Sequence, residues 1–500
     1  MALALLAATA TVPAIARERS AKLTVNDVVA RAHTVNDPPL STKTRVEEWE
    51  LSAEGLAGTQ TIVRRGHDFT VTTRLGPFQS AWGRIGAQTW QQDENGVTLL
   101  DRERPDRVTA RTMERVTSPL DAYAVLETYA SGHLSRSYYD PRTFVLLRRE
   151  KWFGGRFMST VWDDVHPEGK GRVQAWHYDG EDVDGKRFDY RLRSEREGTL
   201  ADDALLAIPH NRRTLVEFAN AQRAARLPAR FQHRRIRVRV ALNRRVYDFL
   251  LDSGASGIIL SSEAARQLRL EVFGAARASG AAPVTSGRAI VAQMDIGALR
   301  LRDVVVRTAP LGNEERRQRI WGLLGYDFLA SCVLRIDYGH GTLDAYENGS
   351  VGVPPGATVV DLHLDNRVPE TSVRVGDSVG DNFLIDTGAA TTVLLLSRFV
   401  NAHRADVEDE GVGAVLASSG IGVAANGIGG RIGIRPIQVR RFRFANRTFE
   451  DTIIYAADSP HALGLDGIDG LVGADVLSRF TLFLDYANAR MMLEPPGSRY

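Results

Sequence analysis

The second half of the sequence repeats itself. FLLDSGASGIIL at 249–260 is answered by FLIDTGAATTVLL at 383–395, and GLLGYDFLASCVLRIDY at 322–338 by GLVGADVLSRFTLFLDY at 470–486. The first pair is offset by 134 residues and the second by 148, so the second copy holds extra chain, most simply in the Gly-rich stretch Gly411–Gly433. Two copies are too few for a solenoid, which needs about three repeats. The arrangement that remains is two similar lobes facing each other across a pseudo-two-fold axis, with Pro354-Pro355 marking the boundary between them.

Each copy ends an apolar, strand-like run with an aspartate, a small hydroxyl residue and a glycine: Asp252-Ser253-Gly254 and Asp386-Thr387-Gly388. One such triplet is weak evidence, but two at equivalent places in a repeat are strong. The run carries the carboxylate toward a poorly solvated centre. The glycine permits a turn whose backbone angles a Cβ would forbid, and the hydroxyl can bond across the axis and fix the turn. Two carboxylates brought to about 3 Å cannot both ionise and must share one proton. The charged member can then take a proton from water while the protonated one donates to a carbonyl, which is acid–base hydrolysis of an amide without metal or covalent intermediate.

These residues resemble the retropepsin-like aspartic proteases of bacteria, which carry Asp-[Thr/Ser]-Gly-Ala after a hydrophobic strand and later a hydrophobic-hydrophobic-Gly motif. Here that motif is Leu323-Leu324-Gly325 and Leu471-Val472-Gly473. The resemblance covers roughly residues 230–495. It implies closed-barrel-like β lobes, endopeptidase activity on a polypeptide substrate, catalytic roles for Asp252 and Asp386, and support of the active-site loops by Ser253, Gly254, Thr387, Gly388, Gly325 and Gly473. No cofactor or metal is implied. Ser253 departs from the commoner Thr by one methyl. A flap needs Gly hinges, which makes Gly280–Gly287 and Gly427–Gly433 the candidates, and Gly411–Gly433 is expected to be mobile over the cleft.

Five hundred residues allow two to four domains, and the remainder of the chain reads differently from the repeat. Between Ser41 and Arg193 short alternating runs are punctuated by Asn95-Gly96 and Asp184-Gly185, hairpin dipeptides of an antiparallel β domain. Within it Pro119–Ser131 (PLDAYAVLETYAS) reads as one helix. Thr214–Leu227, closed by Pro228, reads as a helical linker. The expected fold class is therefore mainly β: an N-terminal antiparallel domain at 17–205 with one helix, a helical linker at 206–228, and lobes at 229–353 and 354–500. The hairpin run, with YYDPRTFVLLRRE at 138–150, is similar to the half-barrels of periplasmic lipoprotein carriers, which implies a lipid or lipoprotein partner for this domain.

Residues 1–16 are Ala/Leu-rich, uncharged and end in Ala14-Ile15-Ala16, a small-x-small pattern suited to signal cleavage. This predicts export to the periplasm or beyond. No run reaches the length of a membrane-spanning helix. The formal charge of +2 gives no reason to expect nucleic acid as partner. Cys332, the one cysteine, excludes an intrachain disulfide and sits in an apolar run as an inert thiol. The cluster Asp179, Asp182, Asp184, Gly185 does not fit a calcium-loop spacing. Asp361, His363 and Asp365 read as a wetted strand face, and Asp337-Tyr338 and Asp485-Tyr486 as structural strand ends. Two further readings compete with hydrolysis: a catalytically silent peptide-binding module, and an envelope lipid or lipoprotein carrier acting through the N-terminal domain.

Overall fold

A computed structural model describes residues 23–37, 40–100, 107–130, 132–153, 156–182, 185–210, 215–278, 284–364, 367–407, 423–427, 430–457 and 467–495. Residues 1–16, most of Gly411–Gly433, and Gly280, Asp184 and Asp365 lie outside them. The described chain is mainly β, organised in four sheets.

The N-terminal sheet has thirteen strands in an antiparallel meander. Its centre is the pairing of Arg45–Ala53 with Arg187–Glu197. Gly96–Leu100 and Val108–Val116 form its two edges. The helix beside it is Val25–Asn36. Thr24 and Asp27 cap it reciprocally, and Val28, Val29 and Ala32 bury their side chains against Val125 and Tyr139. The helix expected at Pro119–Ser131 is instead the strand Ala122–Tyr129, paired with Val108–Val116 on one side and Leu134–Tyr139 on the other. Sheet partners on both flanks outweigh the modest helical preference of its Ala and Leu residues. The Thr214–Leu227 helix is corrected too. Val216–Phe218 and Ala224–Arg226 are short strands added to the edges of two different sheets, opposite Leu299–Leu301 and Asp344–Tyr346. Asn220 turns the chain between them, donating to the Ala224 carbonyl and accepting from its N–H.

The two lobes have the same strand order. In lobe 1 it runs Arg235–Leu242, Arg245–Leu251, Ile320–Leu324, Ile259–Ser261, Leu299–Ala309, Val284–Ile296, Phe273–Ala278. In lobe 2 it runs Glu370–Val375, Ser378–Asp386, Gly470–Gly473, Val393–Leu395, Arg447–Ala457, Gly430–Phe444, Val423–Gly427. Each sheet closes on itself, through Arg235–Leu242 with Val284–Ile296 and through Glu370–Val375 with Gly430–Phe444. Phe249 and Phe383 occupy equivalent core positions with no exposed surface, each contributing about 2–3 kcal/mol by burial. Gly322 and Gly470 lie against these rings; a Cβ there would come within 2.1 Å of Phe249 Cε1 and 2.6 Å of Phe383 Cε1.

A six-stranded sheet joins the lobes, with Val333–Asp337 antiparallel to Thr481–Asp485 at its middle. Those are the segments that end the repeat in Asp-Tyr. Every residue of both strands is buried, so one hydrophobic core runs through both lobes and fixes how they face each other.

Candidate active site

The strand Arg245–Leu251 delivers Asp252 and the strand Ser378–Asp386 ends on its counterpart Asp386. Each lies parallel to the strand of its own hydrophobic-hydrophobic-Gly motif, with Leu251 beside Leu324 and Asp386 beside Gly473. Gly325 and Gly473 let the backing segments cross the loops at backbone contact. A Cβ on Gly325 would sit 2.3 Å from the Ala255 carbonyl oxygen, and one on Gly473 2.3 Å from that of Thr391. The Tyr326 and Ala474 N–H groups then donate to the Ala255 and Ala389 carbonyls at 2.9 and 2.8 Å.

Ser253 and Thr387 are fully buried and clasp each other across the pseudo-two-fold axis. The Ser253 N–H donates to Thr387 Oγ1 at 3.0 Å and the Thr387 N–H to Ser253 Oγ at 2.9 Å. Each hydroxyl also donates to the opposite lobe, Ser253 to the Ile385 carbonyl at 2.6 Å and Thr387 to that of Leu251 at 3.1 Å.

This clasp brings the two carboxyl groups together at the axis, each beside the other lobe's glycine. A Cβ on Gly254 would lie 3.0 Å from Asp386 Cγ, and one on Gly388 2.6 Å from Asp252 Cγ. The glycine of each triplet therefore makes room for the other lobe's carboxyl group. Burial pushes both carboxyls above the usual carboxylate range. The neighbouring Asp386 charge adds to the rise at Asp252, and Arg235 opposes it at both. Both residues remain partly accessible, as a site that must admit water requires.

All eight residues singled out from the sequence thus meet at one place. Three others within electrostatic reach of the dyad were missed. Arg235 belongs to HRRIRVRV, where no one arginine stands out. Tyr338 and Tyr486 are visible in the repeat but read as strand ends; burial raises both phenols, and the dyad carboxylates raise them further. Their neighbours Asp337 and Asp485 do tie strand ends, Asp337 accepting from Arg335 and His340 and Asp485 from Asn488 and Arg490. Among the described residues no group of His, Cys, Asp or Glu could hold a metal. Asp182 closes a hairpin tip by accepting from the Lys186 N–H. Cys332 is fully buried and burial pushes its thiol up to about 12, far from the thiolate chemistry requires.

Residues 238–331 match a family model described as "gag-polyprotein putative aspartyl protease". Over these residues lobe 1 is similar to that aspartyl protease family. The match spans Asp252-Ser253-Gly254 and Gly325, and lobe 2 repeats the same strand order around Asp386-Thr387-Gly388. Among solved structures, an aspartic proteinase from Irpex lacteus is similar at 16% identity over 55% of this chain and 98% of its own, with a TM-score of 0.34. An outer membrane lipoprotein-sorting protein domain from Vibrio parahaemolyticus is similar at 10% identity over 36% of this chain and 97% of its own, with a TM-score of 0.28. No curated protein sequence matches the chain. The likeness of lobe 1 to that family rests on the sequence match.

Proposed function

We propose that the chain is an aspartic endopeptidase that hydrolyses peptide bonds with a water activated between Asp252 and Asp386. The observation that carries this reading is the convergence of two carboxyl groups, from equivalent loops of two lobes, each lying against the glycine of the other lobe's triplet. Their roles follow from their backbone partners. Asp386 Oδ1 accepts from the Gly388 and Ala389 N–H groups at 2.8 and 3.0 Å, whereas Asp252 Oδ1 accepts from the Gly254 N–H alone at 3.0 Å. Two N–H donors stabilise the anion better than one, so Asp386 holds the charge and Asp252 the proton.

Asp386 takes a proton from the water as its oxygen attacks the peptide carbonyl carbon, and Asp252 donates its proton to the carbonyl oxygen. A neutral tetrahedral diol results. Asp386 then passes its proton to the amide nitrogen, Asp252 recovers one from a diol hydroxyl, and the C–N bond breaks to leave acid and amine. The Ala/Leu-rich residues 1–16 support an exported protein acting on polypeptides outside the cytoplasm.

The test is purified full-length protein, with Asp252→Asn and Asp386→Asn, against a mixed peptide library from about pH 3 to 8. Cleavage by the parent, lost in each single variant, supports the reading. Cleavage that survives either substitution overturns the shared-proton mechanism. Tight peptide binding without cleavage transfers the assignment to a silent peptide-binding module.

A further inference from the structure

Three hairpins of the N-terminal sheet reach into lobe 1, and one of them lands behind the catalytic loop. The loop that begins at Asp252 ends at Ile258, whose N–H donates to Asp327 Oδ2 at 3.2 Å. The same oxygen lies where a Cβ on Gly257 would fall, 2.8 Å away. Asp327 is buried, and its charge is met by Arg367. The Arg367 guanidinium forks: one Nη bonds Asp327 and the other bonds Asp93, at the turn of the hairpin joining Gln88–Asp93 to Gly96–Leu100. The other Asp93 oxygen, Oδ1, accepts from the Asn95 and Gly96 N–H groups at 2.9 and 3.2 Å and so shapes that turn.

Further contacts hold the same tip in place. Asn95 behaves as an added sheet residue, donating to the Val305 carbonyl at 2.9 Å and accepting from the Val305 N–H at 3.2 Å. Thr98 Oγ1 accepts from the Tyr326 hydroxyl at 2.9 Å in a buried bond, and the Arg367 guanidinium lies 4.9 Å from the Tyr326 ring centre. Tyr326 in turn donates its N–H to Ala255 within the loop. The other two hairpins contact the arms Phe273–Ala278 and Val284–Ile296. Glu54 accepts from the Ala275 N–H and pairs with Arg288 at 3.1 Å, while Phe78 packs edge-on against Phe273.

Lobe 2 treats its loop differently. Asp475, the counterpart of Asp327, is met by Arg234 from lobe 1, and Ala474 stands where lobe 1 has Tyr326. Arg234 lies outside the N-terminal domain.

We propose that Arg367, held by Asp93, is a positioning residue for the catalytic loop of lobe 1, so that the N-terminal domain is a working part of the hydrolytic site and not a detachable appendage. This rests on the hydrolase reading for its consequence in rate but not for its consequence in loop order. The chain of contacts runs Asp93, Arg367, Asp327, Ile258 N–H, and then along the loop to Asp252. Loosening it lets the loop sample geometries in which the carboxyls are misaligned. The effect falls on turnover, because small misplacements of reacting groups cost rate more than binding.

The experiment uses the full chain with Asp93→Asn, Thr98→Val and Arg367→Met. Three quantities are followed: hydrogen exchange of peptides covering 253–258 and 387–392, kcat and KM on a cleaved peptide, and global thermal unfolding. In Asp93→Asn the amides of 253–258 should exchange about tenfold faster while those of 387–392 stay as in the parent. The kcat should fall about tenfold with KM within about twofold. Arg367→Lys, which can reach only one carboxylate at a time, should recover part of what Arg367→Met loses. If Arg367→Met fails to fold, the hairpin variants still decide the matter. Unchanged protection of 253–258 in both Asp93→Asn and Thr98→Val overturns the positioning role, whether or not the parent cleaves. Faster exchange confined to 253–258 in a protein that cleaves nothing supports the positioning role and overturns the hydrolase reading instead.

Discussion

Lobes 1 and 2 share a strand order, a triplet and a backing motif, yet they hold their aspartates unequally. Asp386 has two backbone N–H donors where Asp252 has one. The backing motif of lobe 1 carries Tyr326, which reaches the N-terminal domain, where lobe 2 carries Ala474. A dyad built by strict symmetry would have two equivalent carboxyls and no reason to prefer one as base. The repeat supplies the scaffold, and small departures from it make the two carboxyls unequal; in the proposed mechanism lobe 2 stabilises the anion and lobe 1 retains the proton.

The largest effect should come from removing either carboxyl. Asp252→Asn or Asp386→Asn should each lower peptide cleavage by about a thousandfold or more, in line with the combined loss of acid and base catalysis. Near-equal losses would be the mark of a shared site, and progress curves on one fluorogenic peptide suffice to measure them. Gly388→Ala should follow, with about a hundredfold loss. Its Cβ would fall 2.6 Å from Asp252 Cγ, so the opposing carboxyl must move. Gly254→Ala meets Asp386 at 3.0 Å and should be milder. A reversed order of those two variants would contradict this difference in how closely each loop approaches the opposing carboxyl.

The clasp offers a test in stability instead of rate. Ser253→Ala strips the partner from the Thr387 N–H and the Ile385 carbonyl, and Thr387→Val from the Ser253 N–H and the Leu251 carbonyl. All lie in the dry interface, where each unsatisfied group costs about 1–3 kcal/mol. Either variant should therefore lower the denaturant midpoint clearly, and the double variant should lose less than the sum, because the two hydroxyls share one network. Additive losses would show the two halves of the clasp to be independent.

The parts legible in the sequence were those written twice. Both triplets, both backing glycines and the two-lobed architecture follow from the repeat, because duplication separates a constrained residue from a chance one. Elements that occur once were harder to read. Ala122–Tyr129 has the Ala and Leu content of a helix, and only strands distant in sequence make it β. Val216–Phe218 and Ala224–Arg226 are edge strands too short for a periodic signal. Arg367 and Asp327 are separated by forty positions, and Asp93 by far more, so no local pattern links them. Asn95-Gly96 announced a turn correctly placed between two strands; its docking on lobe 1 is a tertiary fact that a dipeptide does not encode.

The smallest effect should distinguish the two aspartates by how stability depends on pH. Burial raises both carboxyls in the folded protein, whereas in the unfolded chain each titrates near 4. A group raised on folding contributes stability that is complete below its unfolded value and is lost as pH climbs through its folded value. The parent should therefore lose stability from about pH 4 upward on account of the dyad. An Asn at either position carries no proton to lose and should escape that residue's share of the decline. Asp252→Asn should match the parent near pH 4 and unfold a few degrees higher near pH 7, at about 2–4 °C per kcal/mol for a domain of this size. Asp386→Asn should gain less, because its two N–H donors already favour the charged form. Thermal unfolding of the three proteins at about half-unit steps of pH reads this directly. Equal gains for the two variants would mean that the extra donor on Asp386 does not set where the proton resides, and the assignment of acid and base would have to be reversed or abandoned.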